Sequence, residues 1–307
     1  MVVLGALAGY LLFGAAGALG VGAVLVNLFT PLPAAILGMR FGPTWAAAAV
    51  ALTALALLAT ADGAAALLFV LQFGLPAVLL PWLLTRGVPW DRTIVVTLGV
   101  VLLLGLAMLA WRAAGSGQSA VAMADALVDK EIRQATAMME GMTSDPQQSP
   151  ADAEALRQAV AGMAELMRRI YPGMLVAVGG ALQLATVGLL ALAVRPRPLS
   201  GPPFARWRAP ELLIWVLIAA GFAAIFASGA VQGVALNLLV ILLPVYFLQG
   251  LAVVEHFLAR KLSPLLRGFT YLLLLVINPL PVVVTGIGIF DLWADFRKPR
   301  PNNNDQA

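Results

Sequence analysis

The chain has 307 residues, 61% hydrophobic and only 11% charged, with a formal net charge of +4 and a mean hydropathy of +0.93; a soluble domain carries about one quarter charged residues, so lipid and not water is the solvent for most of it. With no cysteine and a single histidine, His256, disulfides, thiolate nucleophiles and multi-histidine metal sites are excluded. The basic residues sit in short loops, where they report orientation and give no reason to invoke nucleic acid.

The first apolar run, Val2 to Met39, would be about 55 Å long as one helix, against a hydrocarbon core of about 30 Å. It must therefore be divided. Gly20-Val21-Gly22 predicts a turn between a span over 3–19 and a segment over 22–39. That second segment is interrupted at Thr30-Pro31-Leu32-Pro33, where two prolines remove two backbone donors. No Lys or Arg precedes the apolar run, so it lacks the basic start of a cleavable signal and is expected to be retained.

Further spans are predicted over 44–60, 64–85, 93–111, 174–194, 211–228 and 233–257. Asp62-Gly63, the basic loop Arg86-Gly87-Val88-Pro89, an Arg- and Pro-rich linker over 195–210 and the turn Ser228-Gly229 divide them. After Arg260, Lys261 and Arg267 comes a last apolar stretch, 269–292, broken at Asn278-Pro279-Leu280-Pro281. The polar tail from Arg297 onward is expected to be disordered.

Between these spans only 112–172 is polar. Val121, Ala124, Val128, Ile132, Ala135 and Met139 recur at three-four spacing, as do Leu156, Val160, Met163, Met167 and Ile170, which predicts two amphipathic helices. Thr143–Gln148 reads as their turn, with Ser149 as N-cap and Pro150 at the first helical position. The expected fold class is therefore all-α: a polytopic transmembrane helix bundle of about eight or nine membrane segments, two of them proline-broken, with an extramembrane helical hairpin. Its parts are transmembrane segments over 1–111, the hairpin over 112–172, transmembrane segments over 173–296 and a polar tail over 297–307.

Charge orients the bundle. The hairpin region holds six basic and eight acidic residues, whereas the other basic residues gather at Arg40, Arg86 and Arg92, Arg195 to Arg208, Arg260 to Arg267, and Arg297 to Arg300. The positive-inside rule makes the face of the first four groups cytoplasmic and leaves the hairpin outside. A simple crossing at 269–292 would put the basic tail outside as well; a re-entrant pair hinged at Asn278-Pro279 returns it to the cytoplasm, which is the reading preferred here.

Uncharged polar residues at membrane depth are Asn27, Gln72, Gln183, Asn237, Gln249 and Asn278. Most such residues make interhelical hydrogen bonds. Asn278 and the Thr30–Pro33 break stand apart, because a proline break frees backbone carbonyls, and interrupted helices in matching halves mark binding sites in transporters. Asn27, Gln72, Asn237 and Asn278 are thus the candidate ligand-binding set. Gly5 and Gly9 form a small-residue packing face. The chain carries no metalloprotease, nucleophile-elbow or phosphate-loop motif, and the neighbours Glu255 and His256 cannot share one helix face. No catalysis, cofactor or metal is expected.

The segments YFLQGLAVVEHFLARK (246–261), LRGFTYLLLLVINPL (266–280), GIGIFDLWADFRK (286–298) and PLPAAILGMRFG (31–42) together resemble the YybS-like family of bacterial integral membrane proteins. The resemblance makes Pro31, Pro33, Arg40, Gln249, Gly250, Glu255, His256, Gly288, Asp291, Asp295, Phe296 and Arg297 signature positions. It implies a multi-pass protein of the bacterial cytoplasmic membrane. It also implies a distant similarity of the N-terminal half to substrate-binding subunits of energy-coupling-factor transporters, which dock through small residues; Ala8, Gly9 and Gly17 would serve here. Two functional expectations follow: a solute-binding, transporter-like subunit with a polar cavity near the proline breaks, or a non-transporting scaffold that engages a protein partner through the 112–172 hairpin or the 195–210 loop. In both, the lipid bilayer is the first partner.

Overall fold

The computed structural model describes residues 1–18, 23–143, 150–194, 199–259 and 261–297. Their ordered elements are helices, and Pro89 and Ser200 form an isolated parallel bridge. The chain divides into two compact units, Met1–Ala153 with Val178–Gly201, and Glu154–Ala177 with Pro202–Ala307.

The first unit begins with α1 (Val2–Ala18), α2 (Ala23–Asn27), α3 (Leu32–Phe41) and α4 (Pro43–Thr60). The turn expected at 20–22 lies outside the described residues. The Thr30–Pro33 break is a turn between α2 and α3. Pro31 caps α3 and Pro33 falls in its first turn, where a missing N–H removes no helical bond. Asp62 caps α5 (Gly63–Phe69) by accepting from Ala65 N at 2.7 Å. A π-helical segment over 70–74 then leads into α6 (Leu75–Thr85). It lies just ahead of Pro76, whose absent N–H loosens the α-helical ladder. Phe13 packs edge-on against Phe69 and Phe73, at 5.6 and 6.0 Å between centroids. Leu37, Val50, Leu57 and Leu190 complete this core. Gly5 faces Leu37, Gly9 faces Thr53, and the Thr53 hydroxyl donates to Ala6 O at 3.0 Å.

Next come α7 (Trp90–Ser116), α8 (Ala120–Thr143) and α9 (Pro150–Ala193). Helix α9 departs most from expectation. The polar stretch over 151–170 and the span over 174–194 are one helix of 44 residues that runs through Pro172. Pro150 does open it, while Ser149 and the turn over 144–148 lie outside the described residues. The segment expected as a hairpin over 112–172 gives α8 to the first unit and residues 154–177 to the second.

The second unit adds a 3-10 turn (Phe204–Arg206), α10 (Leu212–Phe226), α11 (Gly229–Leu258), α12 (Pro264–Val276) and α13 (Leu280–Ala294). Helices α10 and α11 form an antiparallel pair joined at Ala227 and Ser228, and Ile214, Leu217, Leu242 and Tyr246 make its core. Helix α12 meets α13 at a bend of 102°, with a cis Asn278-Pro279 bond. Helix α13 crosses α11 at Gly250 and Gly288. A Cβ on Gly288 would overlap the Tyr246 carbonyl, and one on Gly250 the Val284 carbonyl.

Among the described residues, five helices are long and apolar enough to cross a bilayer, or six if the bent α12–α13 pair counts as one span. Val2–Ala16, Leu25–Phe41 and Leu212–Phe226 are apolar but shorter. By length the spans number five or six, and the three shorter apolar helices coincide with the remaining segments read from the sequence, over 3–19, 22–39 and 211–228.

Candidate functional site

The four side chains expected to line a ligand cavity divide between the units. Asn27 ends α2 with its Oδ1 buried and unpartnered, and Gln72 is exposed on the π-helical segment. Both belong to the first unit, Asn237 and Asn278 to the second. Asn278 is exposed at the α12–α13 bend.

Asn237 is committed to holding a helix. Its Oδ1 accepts from Gly173 N at 2.6 Å, and its Nδ2 donates to Arg169 O at 2.7 Å and to Gly233 O at 2.8 Å. Arg169 O and Gly173 N are the groups that pair with each other in an undisturbed α-helix. Here the amide of α11 stands between them, one residue after Pro172, which has no N–H to give. Gly173 makes room, since a Cβ there would lie 2.8 Å from Asn237 O and 2.9 Å from Oδ1.

The buried charge of the second unit gathers around Asp291, which α13 carries into the angle between α11 and the 205–209 segment. Asp291 is fully buried and pairs with Arg297, itself only 6% exposed. Gln249 Nε2 donates to Asp291 Oδ2 at 3.3 Å, and Gln249 Oε1 accepts from Ala209 N at 3.0 Å. Arg297 Nη1 donates to Ala205 O at 3.1 Å and Trp207 O at 2.9 Å. Arg208 Nε lies 3.9 Å from Asp291, and its Nη2 pairs with Asp295. Asp295 takes the left-handed conformation that ends α13, at φ 41°, and so turns the chain back until Arg297 reaches Asp291. Two carboxylates face two guanidinium groups, so the cluster is neutral. Such a set clamps one segment to another and offers a solute no net charge, although Asp291 Oδ1 and Arg297 Nε lack a partner.

A smaller cluster joins α11 to α12. Arg267 Nη1 donates to Glu255 Oε1 at 2.5 Å, and the Tyr271 hydroxyl donates to Glu255 Oε2. His256 is outside this cluster and packs edge-on against Phe257, 5.4 Å between centroids.

Of the signature positions, Gln249, Asp291, Asp295 and Arg297 come together, with Gly250 and Gly288 setting the helix approach beneath them. Glu255 belongs to the second cluster. Pro31 and Pro33 open α3, Arg40 is exposed in its last turn and Phe296 is 43% exposed. Sequence reasoning did not single out Arg208, Tyr271 or the Ala205 and Trp207 carbonyls. No local signal marks them, because their partners lie 16 to 92 residues away. A groove of about 390 Å³ between α10 and α11 is lined by Ala, Val and Leu alone, among them Ala219, Ala223, Val231 and Leu238.

Residues 8–292 match the sequence family described as "Predicted membrane protein (DUF2232)". No curated protein and no solved structure matches the chain.

Proposed function

We infer, for a chain that belongs to the DUF2232 family of predicted membrane proteins, a non-transporting scaffold role in the bilayer, without a catalytic step. One observation carries this reading: the Asn237 amide, a candidate ligand contact, is spent on Arg169 O, Gly173 N and Gly233 O. A polar group satisfied inside the protein gains little by turning to a solute. The neutral Asp291 cluster and the wholly apolar α10–α11 groove point the same way.

The finer assignments belong to the same proposal. Its location in a bacterial cytoplasmic membrane is supported by the resemblance to the YybS-like family, and its orientation with the basic face inward by the gathering of Lys and Arg in a few short loops. A transporter-like subunit that docks through α1 is the competing reading. It is weakened because Gly9, one of the small docking residues, faces Thr53 inside its own unit. Partner surfaces are offered by α8, where Val121 and Leu127 are exposed, and by the first part of α9, where Met163 and Leu166 are. Much of the 205–209 segment is occupied by Arg297 and Asp295, leaving exposed Arg206 as its free handle.

The test is native mass spectrometry of the protein extracted from its own membrane. Lipid adducts and a co-purifying protein are the expected outcome. A small polar solute retained at one per chain would overturn the scaffold reading in favour of the transporter-like one.

A further inference from the structure

We propose that α12 lies in the plane of the basic-side leaflet as a lipid-binding interfacial helix, and neither crosses the membrane nor dips into it. The inference rests on membership of a membrane protein family and is independent of the scaffold reading.

Three observations within the second unit converge. The first is where the chain starts and finishes. Helices α10 and α11 lead away and back as an antiparallel pair. Arg297 then binds the carbonyls of Ala205 and Trp207, at 3.1 and 2.9 Å, in the segment that leads into α10. Ala209 N pairs with Gln249, nine residues before the end of α11, so the stretch from the end of α11 to Arg297 returns to the side on which α10 starts, and α12 with α13 makes no net crossing.

The second is the bend itself. Ile277 is 46% exposed, and Asn278 and Pro279 are exposed beside it. Ile277 and Pro279 carry turn hydrogen bonds of their own, Leu280 N to Ile277 O at 2.8 Å and Val282 N to Pro279 O at 3.1 Å, but an exposed Asn278 amide in hydrocarbon would go without the hydrogen bonds that offset the loss of water. The bend therefore fits the level of headgroups and water. A re-entrant hairpin would place the same three residues at its deepest point.

The third is the two-faced character of α12. Leu265, Phe269, Leu272 and Val276 follow three-four spacing and are 85%, 57%, 56% and 68% exposed. Arg267 and Tyr271 occupy the opposite side and hold Glu255, three residues before the end of α11. A helix tied by its polar side to the end of a span, with a bare apolar side, fits the boundary between headgroups and acyl chains. The 102° bend then sets α13 against α11 through Gly250 and Gly288.

The native chain has no cysteine, so a single introduced thiol can be spin-labelled without background. The variants Leu265→Cys, Phe269→Cys, Leu272→Cys, Val276→Cys and Asn278→Cys are labelled and placed in phosphatidylglycerol–phosphatidylethanolamine vesicles. Depth is read from collision with oxygen against a water-soluble nickel chelate. The first four labels are expected at one shallow depth, about 5–10 Å below the headgroups, and the fifth in contact with the chelate. Depth that grows along the helix by about 16 Å from residue 265 to 276, a label at 278 shielded from the chelate, or apolar-face labels in bulk water would each overturn the proposal. The altered side chains project from the protein, so folding is expected to survive labelling; the circular dichroism of each variant checks this.

Discussion

Replacing Arg297 by Met would leave Asp291 fully buried without its closest cation. Removing one partner of a buried pair costs about 3–5 kcal/mol, because the stranded charge has lost its compensation. The surroundings of Asp291 place the loss at the lower end of that range. Gln249 still donates at 3.3 Å, and Arg208 remains 3.9 Å away, though it is 41% exposed and screened by water. At about 3–5 °C per kcal/mol for a unit between the small and the larger domain sizes, the midpoint should fall by about 9–15 °C. Thermal unfolding in detergent, followed by circular dichroism, measures it. The double variant Asp291→Leu with Arg297→Met removes both charges, so it should recover most of the loss, since buried pairs are often replaced by apolar side chains without penalty. A single variant within about 1 °C of the parent, or a double variant as unstable as the sum of its singles, would refute the argument that charge compensation holds this cluster together.

Asn237→Leu should cost about 1–3 kcal/mol, since it strands Arg169 O and Gly173 N beside Pro172; hydrogen exchange would rise at Gly173 first, and unchanged protection there would contradict the bridging role. Gly288→Ala should lower the unfolding midpoint by the equivalent of about 1–3 kcal/mol or more and expose α13 to protease, because the added methyl meets the Tyr246 carbonyl; wild-type resistance would speak against the close crossing. Reporter fusions at Gln147 and after Arg300 should answer from the outside and the cytoplasm respectively. A cytoplasmic signal at Gln147 would invert the orientation.

Much of the helical framework was legible because its signals are local. Asp62 before Gly63, prolines at 31 and 33 and the basic loop at Arg86 mark boundaries by the needs of a few adjacent residues, and the structure places helix ends at each. What escaped was non-local. The hairpin and the span over 174–194 read as separate elements, yet α9 runs through both, because an amide supplied from 64 residues away engages the backbone beside Pro172. Asp291 and Asp295 flank the end of the last apolar stretch in the sequence; their partner Arg208 lies in a loop remote in sequence, and nothing in the spacing of either segment announces the other. Polar residues within the apolar stretches stand out in the sequence, but residue type cannot say whether such a group faces a ligand or another helix.

The clamp on the 205–209 segment also dictates an order of assembly. Arg297 is made 92 residues after Ala205, which at ribosomal speed is a delay of about 5–20 s. Throughout that interval the carbonyls of Ala205 and Trp207 and the guanidinium of Arg208 are on offer to water, lipid headgroups or the insertion machinery. A nascent chain halted before Asp291 therefore leaves this latch unsealed.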